Sequence, residues 1–261
     1  MPLGGKNLTR KTALITGSAR GLGMVTARQL AKDGFNIITT YRRNQESALQ
    51  YMNELAETYD IHANALPYDV TIRHHHQELI DKCFGICDGV DILVHNAGPY
   101  IQERKPMVEY TGEEWEYLIN GNLSSMFYLA SGIIPYMRKK QWGRIITMGY
   151  DQSDHAPGWK YRSAFAAAKT GLTSLTKTLA LEEAEYGITA NMVCPGDIVD
   201  PWKECLQAAN GEVAESVPVG RPGTGGDIAR VISFLCAEES DFITGTVIPV
   251  TGGQDVLSKT R

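Results

Sequence analysis

The chain has 261 residues, a formal net charge of −5 and 43% hydrophobic residues. This length is sufficient for one large α/β domain with a substantial core, and we predict a single domain over residues 1–261. The negative charge indicates no basic surface for nucleic acid. Residues 1–6 lack the apolar core of a signal peptide, and no segment approaches the roughly 20 apolar residues of a membrane span. The sequence therefore predicts a cytoplasmic protein with neither a nucleic-acid nor a membrane partner.

The cysteines and histidines are not spaced as metal ligands. Of the five cysteines, Cys83 and Cys87 lie close together, but no second pair and no histidines follow at zinc spacing. Residues 74–76 are three histidines at the start of a predicted helix, on which neighbouring side chains point in different directions. We predict reduced thiols, a solvated helix face at the histidines and no metal site.

Short apolar runs alternate with helical patterns along the chain. The predicted strands are residues 12–16, 36–40, 62–66, 91–95, 144–148, 189–194 and 247–250. The predicted helices are residues 21–33, 45–59, 71–83, 112–139, 161–185 and 226–236. With right-handed crossovers, this alternation predicts an α/β fold of Rossmann type: a doubly wound, seven-stranded parallel sheet with helices on both faces. Because ligands bind beyond the carboxyl ends of such strands, functional residues should follow strands.

A glycine-rich turn follows the first strand. Residues 16–23 read TGSARGLG and lie between an apolar run and an amphipathic run. A turn of this kind brings backbone N–H groups and a helix N-terminus close to an anionic ligand. The spacing differs from the usual Gly-x-Gly-x-x-Gly fingerprint, but its place between strand and helix predicts a dinucleotide site.

Further motifs follow predicted strands or lie on predicted helices. In chain order they are the glycine turn, Asp69-Val70-Thr71, His95-Asn96-Ala97-Gly98, Asn122, Lys169, Pro195-Gly196 and the closing segment 217–253. Together they resemble the short-chain dehydrogenase/reductase family. Each motif alone has a plain structural interpretation as a helix N-cap or a turn former. Their shared order over nearly the whole chain favours the family.

The resemblance implies which residues hold a nicotinamide dinucleotide. It places Gly17, Gly21 and Gly23 around the pyrophosphate, Asp69 and Val70 at the adenine, and residues 96–98 beside the adenine ribose. The full set implied is Gly17, Ser18, Arg20, Gly21, Leu22, Gly23, Tyr41, Arg42, Asp69, Val70, Asn96, Ala97, Gly98, Lys169, Pro195, Gly196 and Ile198.

Charge favours NADP(H) over NAD(H) as the cofactor. An NAD-selective domain carries an acidic residue at the end of the second strand, whereas this chain has Tyr41 followed by Arg42 and Arg43. Arg20 in the glycine turn resembles the family's second 2′-phosphate ligand, and guanidinium groups match phosphate in charge and geometry. The alternative is that these arginines are solvated loop charges.

The pattern departs from the family at the active centre. The family's Tyr-x-x-x-Lys reads Phe165-Ala-Ala-Ala-Lys169 here, so the proton-donating hydroxyl is missing while Asn122 and Lys169 match. Tyr161 is the preferred substitute, in a layout similar to that of enoyl-thioester reductases of the superfamily. Tyr150 is the second candidate, although it stands where the family has a serine. We predict the catalytic set Asn122, Tyr150, Tyr161 and Lys169.

Two functions remain open. The first is an NADP(H)-dependent oxidoreductase that reduces a carbonyl or enoyl group, including 3-oxoacyl and enoyl thioesters. The second is an inactive NADP(H)-binding regulatory or partner subunit, which the loss of the hydroxyl at Phe165 fits. Residues 200–217 occupy the place of the family's substrate lid. Small and apolar residues on several faces of helices 112–139 and 161–185 predict a homodimer or homotetramer.

Overall fold

Parallel strands form one sheet in the computed structural model, which describes residues 10–255 and 257. The strand order is β3-β2-β1-β4-β5-β6-β7. The strands are β1 (Thr12–Ile15), β2 (Asn36–Tyr41), β3 (Ala63–Pro67), β4 (Ile92–His95), β5 (Gly143–Met148), β6 (Ile188–Pro195) and β7 (Val247–Val250). The predicted seven-stranded parallel sheet is therefore confirmed.

Helices cover both faces of this sheet. They are α1 (Gly21–Lys32), α2 (Gln45–Tyr59), α3 (Arg73–Ile86), α4 (Gly112–Ile119), α5 (Ser125–Lys140), α6 (Ser163–Glu183) and α7 (Gly225–Cys236). The central strands are continuous apolar runs because each is buried on both faces. Leu14 of β1 packs with α3, α5 and α6, whereas the next residue, Ile15, packs with α1, α2 and α7. The core is thus two apolar layers that share one sheet.

The prediction of one uninterrupted helix over residues 112–139 is wrong. A π-helical turn, Asn120–Ser124, separates α4 from α5. The extra residue of such a turn changes the direction of the side chains that follow. Asn122 lies inside it, where its amide nitrogen donates to the carbonyls of Leu118 and Pro99 at 3.0 and 2.9 Å. The turn therefore aims Asn122 toward the loop that follows β4.

The predicted start of the helix at Tyr161 is also corrected. Helix α6 begins at Ser163, and Tyr161 has a left-handed backbone with a φ of 65°. A residue in that conformation cannot continue a right-handed helix. Tyr161 therefore precedes the helix that carries Phe165, and the two residues do not lie on one continuous helix face.

The prediction of a solvated face at the histidines is wrong for His76. His74 is exposed, but His76 turns into the core, where the Tyr68 hydroxyl lies 2.9 Å from its Nδ1 atom and Tyr128 stacks on its ring. Burial lowers the pKa of His76 to about 4, so it remains neutral at ordinary pH. Among residues 10–255 and 257, no helix is both long and apolar enough to cross a lipid bilayer.

Candidate active site

The sheet changes winding direction between β1 and β4, and a cavity opens at the carboxyl ends of the strands there. Strand β1 pairs with both β2 and β4, and ligands of doubly wound sheets bind at such a switch point. The cavity has a volume of about 700 Å³. Of the predicted cofactor residues, those that line it are Gly17, Arg20, Gly21, Tyr41, Arg42, Asp69, Val70, Asn96, Ala97 and Gly98.

Hydrogen bonds join the glycine turn to the turn after β4. The Thr16 hydroxyl accepts from the N–H groups of Asn96 and Ala97 at 3.1 and 2.9 Å. The Asn96 amide nitrogen donates to the Thr16 and Gly17 carbonyls at 2.9 and 3.1 Å. Gly17 has a φ of 65°, and a Cβ there would lie 2.9 Å from the Ala97 Cβ. Glycine is therefore required at position 17 for the two turns to approach each other.

The N-terminus of α1 already binds an anionic group. The Gly21 N–H donates to a carboxylate oxygen of Glu204 at 2.8 Å. Glu204 belongs to a short 3₁₀ turn, Trp202–Glu204, in the predicted lid. A free helix N-terminus attracts negative charge through its unpaired N–H groups and its dipole. The N-terminus of α1 thus fits an anionic group such as a pyrophosphate, and the Glu204 carboxylate is the anion that it binds here.

The cavity lining is rich in arginine. Arg20, Arg42 and Arg43 all line it and are exposed. Asp69 lies 4.0 Å from Arg42 through its Oδ2 atom and accepts two hydrogen bonds from Thr71. Burial raises the pKa of the Asp69 carboxyl, but these hydrogen bonds and the Arg42 charge outweigh it and hold the pKa below its ordinary value. The Asp69 carboxylate is therefore ionised, and the three guanidinium groups exceed it in charge.

Other predicted cofactor residues lie outside the cavity lining. The Ser18 hydroxyl donates to the Ile15 carbonyl at 2.7 Å, and its N–H donates to Thr40, so Ser18 holds the turn together. Leu22 and Ile198 pack into the core. The N–H of Gly196 donates to Val250 at 2.9 Å. The remaining residues, Gly23, Lys169 and Pro195, also do not line the cavity.

The polar groups of Asn122 and Lys169 both lie close to Gly98. A Cβ at position 98 would overlap the Asn122 Oδ1 atom and lie 3.7 Å from the Lys169 ammonium nitrogen. The buried Oδ1 atom has no hydrogen-bond partner among the described residues. The Lys169 ammonium donates to the Met148 carbonyl at 2.8 Å, and burial lowers its pKa to about 8. Because position 98 is a glycine, both polar groups approach the end of the cavity.

Phe165 belongs to an aromatic cluster next to this pair. Its ring centroid lies 4.9 Å from that of Tyr100 and 6.0 Å from that of Trp159, both edge to face. The Lys169 ammonium lies 5.7 Å from the Phe165 ring centroid. The Phe165 ring therefore lies close to both the Lys169 ammonium and the Tyr100 ring, and it has no polar atom to offer either of them.

The two tyrosines predicted as proton donors, Tyr150 and Tyr161, differ in burial and in their contacts. Tyr150 is buried against Trp159, and its hydroxyl lies 3.3 Å from the Thr170 hydroxyl. Burial raises the pKa of Tyr150, and the Thr170 hydrogen bond lowers it only in part. Tyr161 is 38% exposed, and the Lys160 ammonium lies 4.9 Å from its ring. Neither tyrosine lines the cavity.

The sequence motifs assign no catalytic or cofactor-binding role to three residues of the site: Tyr100, Arg162 and Glu204. Arg162 is 5% exposed and donates to the carbonyls of Ile101, Gln102 and Glu103 at 2.9, 2.9 and 2.6 Å. Tyr100 was detectable because it directly follows the turn after β4. No sequence signal marks Arg162 or Glu204, since their partners lie far away in the chain.

Comparisons with known proteins agree with this geometry. Residues 17–255 match the family model described as enoyl-(acyl carrier protein) reductase. YtkK of Bacillus subtilis, whose name places it with the oxidoreductases, is 47% identical over 251 residues, covering 95% of this chain and 98% of its own length. The Escherichia coli 3-oxoacyl-[acyl-carrier-protein] reductase FabG is 35% identical over 248 residues, covering 95% of this chain and 98% of its own length.

Solved structures show the same fold. A Bacillus thuringiensis protein described as a 3-oxoacyl-reductase superposes with a TM-score of 0.84 at 46% identity, covering 95% of this chain and 99% of its own. A blue fluorescent protein from a metagenomic library, solved in complex with NADPH, has a TM-score of 0.82 at 30% identity, covering 95% and 98%. The chain belongs to the short-chain dehydrogenase/reductase family. It is an oxidoreductase of that family that uses a nicotinamide cofactor.

Proposed function

We propose that this protein is an NADP(H)-dependent reductase of a carbonyl or enoyl group. The observation that carries the proposal is the convergence of Asn122 and Lys169 on Gly98, at the end of a cavity that begins at an anion-binding glycine turn. A dinucleotide held along this cavity would bring its nicotinamide to the buried lysine. The bound cofactor supplies hydride, and the protein supplies orientation and a proton.

The choice of NADP(H) rests on charge. Arg20 and Arg42 come from different loops and both line the cavity, and we propose both as ligands of one 2′-phosphate. The Arg42 guanidinium has Asp69 as a partner only at 4.0 Å, so a phosphate would offer it a closer one. The glycine turn would hold the pyrophosphate, and Asp69 and Val70 would contact the adenine.

The relatives of this chain include reductases of acyl thioesters, and this supports one class of substrate. The matching family model is described as an enoyl reductase, whereas the FabG relatives are 3-oxoacyl reductases. In both reactions, hydride reaches a carbon atom while negative charge develops on an oxygen atom. That oxygen is the ketone oxygen in 3-oxoacyl reduction and the thioester carbonyl oxygen in enoyl reduction. We propose such an acyl thioester as the substrate, with a tyrosine hydroxyl stabilising that oxygen. Tyr161 and Tyr150 are the candidates that the sequence offers.

A second function is an NADP(H)-binding subunit without reductase activity. Phe165 supports it, because the ring fills its place with apolar contacts to Tyr100 and Trp159 and offers no proton. The retained Asn122 and Lys169 favour the enzyme, since a subunit that only binds the cofactor has no need of an unpartnered amide oxygen beside a buried lysine.

The test is NADPH oxidation by the purified protein with crotonyl, acetoacetyl and simple carbonyl substrates, with NADPH and NADH binding measured by fluorescence. We expect turnover on a thioester, faster with NADPH than with NADH, and none for Lys169→Met, which keeps the side-chain length without the charge. Preference for crotonyl or acetoacetyl substrates distinguishes enoyl from 3-oxoacyl reduction. Tight NADPH binding without any turnover would favour the binding subunit.

A further inference from the structure

One tyrosine of the cavity lining contacts Phe165, and the sequence motifs give it no role. Tyr100 lines the cavity together with Gly98, and its ring contacts Phe165 edge to face at 4.9 Å. Phe165 in turn lies under the Lys169 ammonium. Tyr100 therefore places a phenol in contact with Phe165, which lacks the hydroxyl of the family's tyrosine.

The position of Tyr100 is held from both sides. Before it, the Pro99 ring packs against Gly121, and the Pro99 carbonyl accepts from the Asn122 amide at 2.9 Å. After it, Arg162 binds the next three carbonyls of the loop. The Arg162 guanidinium also lies 4.8 Å from the Tyr100 ring centroid. A side chain fixed in this way is preorganised, as a catalytic group needs to be.

The hydroxyl of Tyr100 is available, whereas that of Tyr150 is engaged. Within residues 10–255 and 257 the Tyr100 hydroxyl has no hydrogen-bond partner, and the side chain is 39% exposed. The Tyr150 hydroxyl is taken by Thr170 inside the protein. The Tyr161 hydroxyl also has no hydrogen-bond partner in the described part of the chain, but Tyr161 lies outside the cavity lining, and Lys160 covers its ring.

We propose that Tyr100 is the catalytic proton donor in place of a tyrosine at position 165. The proposal rests on the reductase function above. In carbonyl reduction, a nicotinamide bound in the cavity would supply the hydride that forms the new C–H bond as the C=O π bond breaks, and its oxidation would balance the reduction of the substrate. The Tyr100 hydroxyl gives its proton to the resulting oxygen, forming the O–H bond. The phenolate then regains a proton from water, which reaches the exposed side chain.

The test compares tyrosine-to-phenylalanine variants on the best substrate of the wild-type protein, with NADPH affinity and the unfolding midpoint measured for each. We expect Tyr100→Phe to lower kcat/KM by about 10²-fold or more, the usual contribution of a general acid, with NADPH affinity unchanged. Tyr117→Phe is the matched control, because Tyr117 also lines the cavity but makes no ring contact with Phe165. Tyr117→Phe should keep full activity. Adding Phe165→Tyr to Tyr100→Phe should restore activity by returning a phenol to the lysine.

Each other outcome counts against the proposal. Full activity of Tyr100→Phe, with a large loss in Tyr161→Phe or Tyr150→Phe, would overturn the assignment and leave the reductase function intact. A loss of NADPH affinity equal to the loss of activity would make Tyr100 a cofactor contact instead. A wild-type protein that binds NADPH and reduces none of the substrates would overturn the reductase function, and the donor with it.

Discussion

Arg20 and Arg42 are the residues on which the cofactor preference depends. Both side chains are exposed and line the cavity, as does Asp69, which provides one negative charge. Two guanidinium groups that converge on a phosphate form charge-assisted hydrogen bonds, each worth about 1.5–3 kcal/mol. NADH has no phosphate at this position, so the same arginines contribute little to its binding.

We therefore expect Arg20→Ala/Arg42→Ala to weaken NADPH binding by about 10²-fold and NADH binding by less than about threefold. Titration of the intrinsic fluorescence with each dinucleotide measures both affinities. The control is Lys32→Ala/Lys139→Ala, which removes the same charge from two exposed positions outside the cavity. An unchanged ratio of the two affinities in the arginine variant would remove both residues from phosphate recognition.

At the level of elements, the predicted lid contacts the N-terminus of α1 through the N–H group of Gly21. The 3₁₀ turn Trp202–Glu204 packs near the N-terminus of α1, and Trp202 joins the core between α1 and α7. This packing directs the Glu204 carboxylate to Gly21. A pyrophosphate bound at the same N–H would have to displace the carboxylate, and the two negative charges would repel each other.

Glu204→Gln should consequently tighten NADPH binding by about two- to fivefold, because a charge near a helix terminus is worth about 0.3–1 kcal/mol. Fluorescence titration at low ionic strength provides the measurement. Glu212→Gln removes a charge from the same lid at an exposed position and should leave the affinity unchanged. Weaker binding in Glu204→Gln would instead show that this side chain supports the bound cofactor.

At the scale of the whole molecule, α5 and α6 expose apolar side chains that a partner subunit would cover. Phe127 is 56% exposed on α5, and Leu181 is 83% exposed on α6. On α5, Phe127, Ser131 and Pro135 are exposed at intervals of four residues and so lie along one face. Exposed apolar residues grouped on one side of a protein are typical of an interface. We propose a homo-oligomer that uses these two helices.

Phe127→Glu/Leu181→Glu should reduce the molar mass measured by light scattering to that of one chain, or halve it if the wild type is a tetramer. The reason is that carboxylates buried without partners oppose association. Val213→Glu, at a lid position that is 79% exposed, is the control and should keep the wild-type mass. A monomeric wild-type protein, or an unchanged mass in the double variant, would contradict the proposal.

Much of this molecule was predictable from the sequence because the signals are local. Alternating apolar runs and helical patterns depend on neighbouring residues, and they specified the order of strands and helices. The motifs after β1, β3 and β4 meet in one cavity because parallel strands place their carboxyl ends at one edge of the sheet. By itself, the sequence thus determined the fold class and the family, and it predicted ten of the residues that line the cavity.

The tertiary structure alone decided how the loops meet. Tyr100 contacts Phe165, Arg162 binds residues 101–103, and Glu204 binds Gly21 across wide gaps in the chain. The π-helical turn at Asn122 and the left-handed Tyr161 likewise depend on surrounding contacts rather than on helical periodicity. Loop conformations follow from packing against distant elements, and no local pattern encodes such contacts. For that reason the arrangement of hydroxyl groups around Lys169 became visible only in three dimensions.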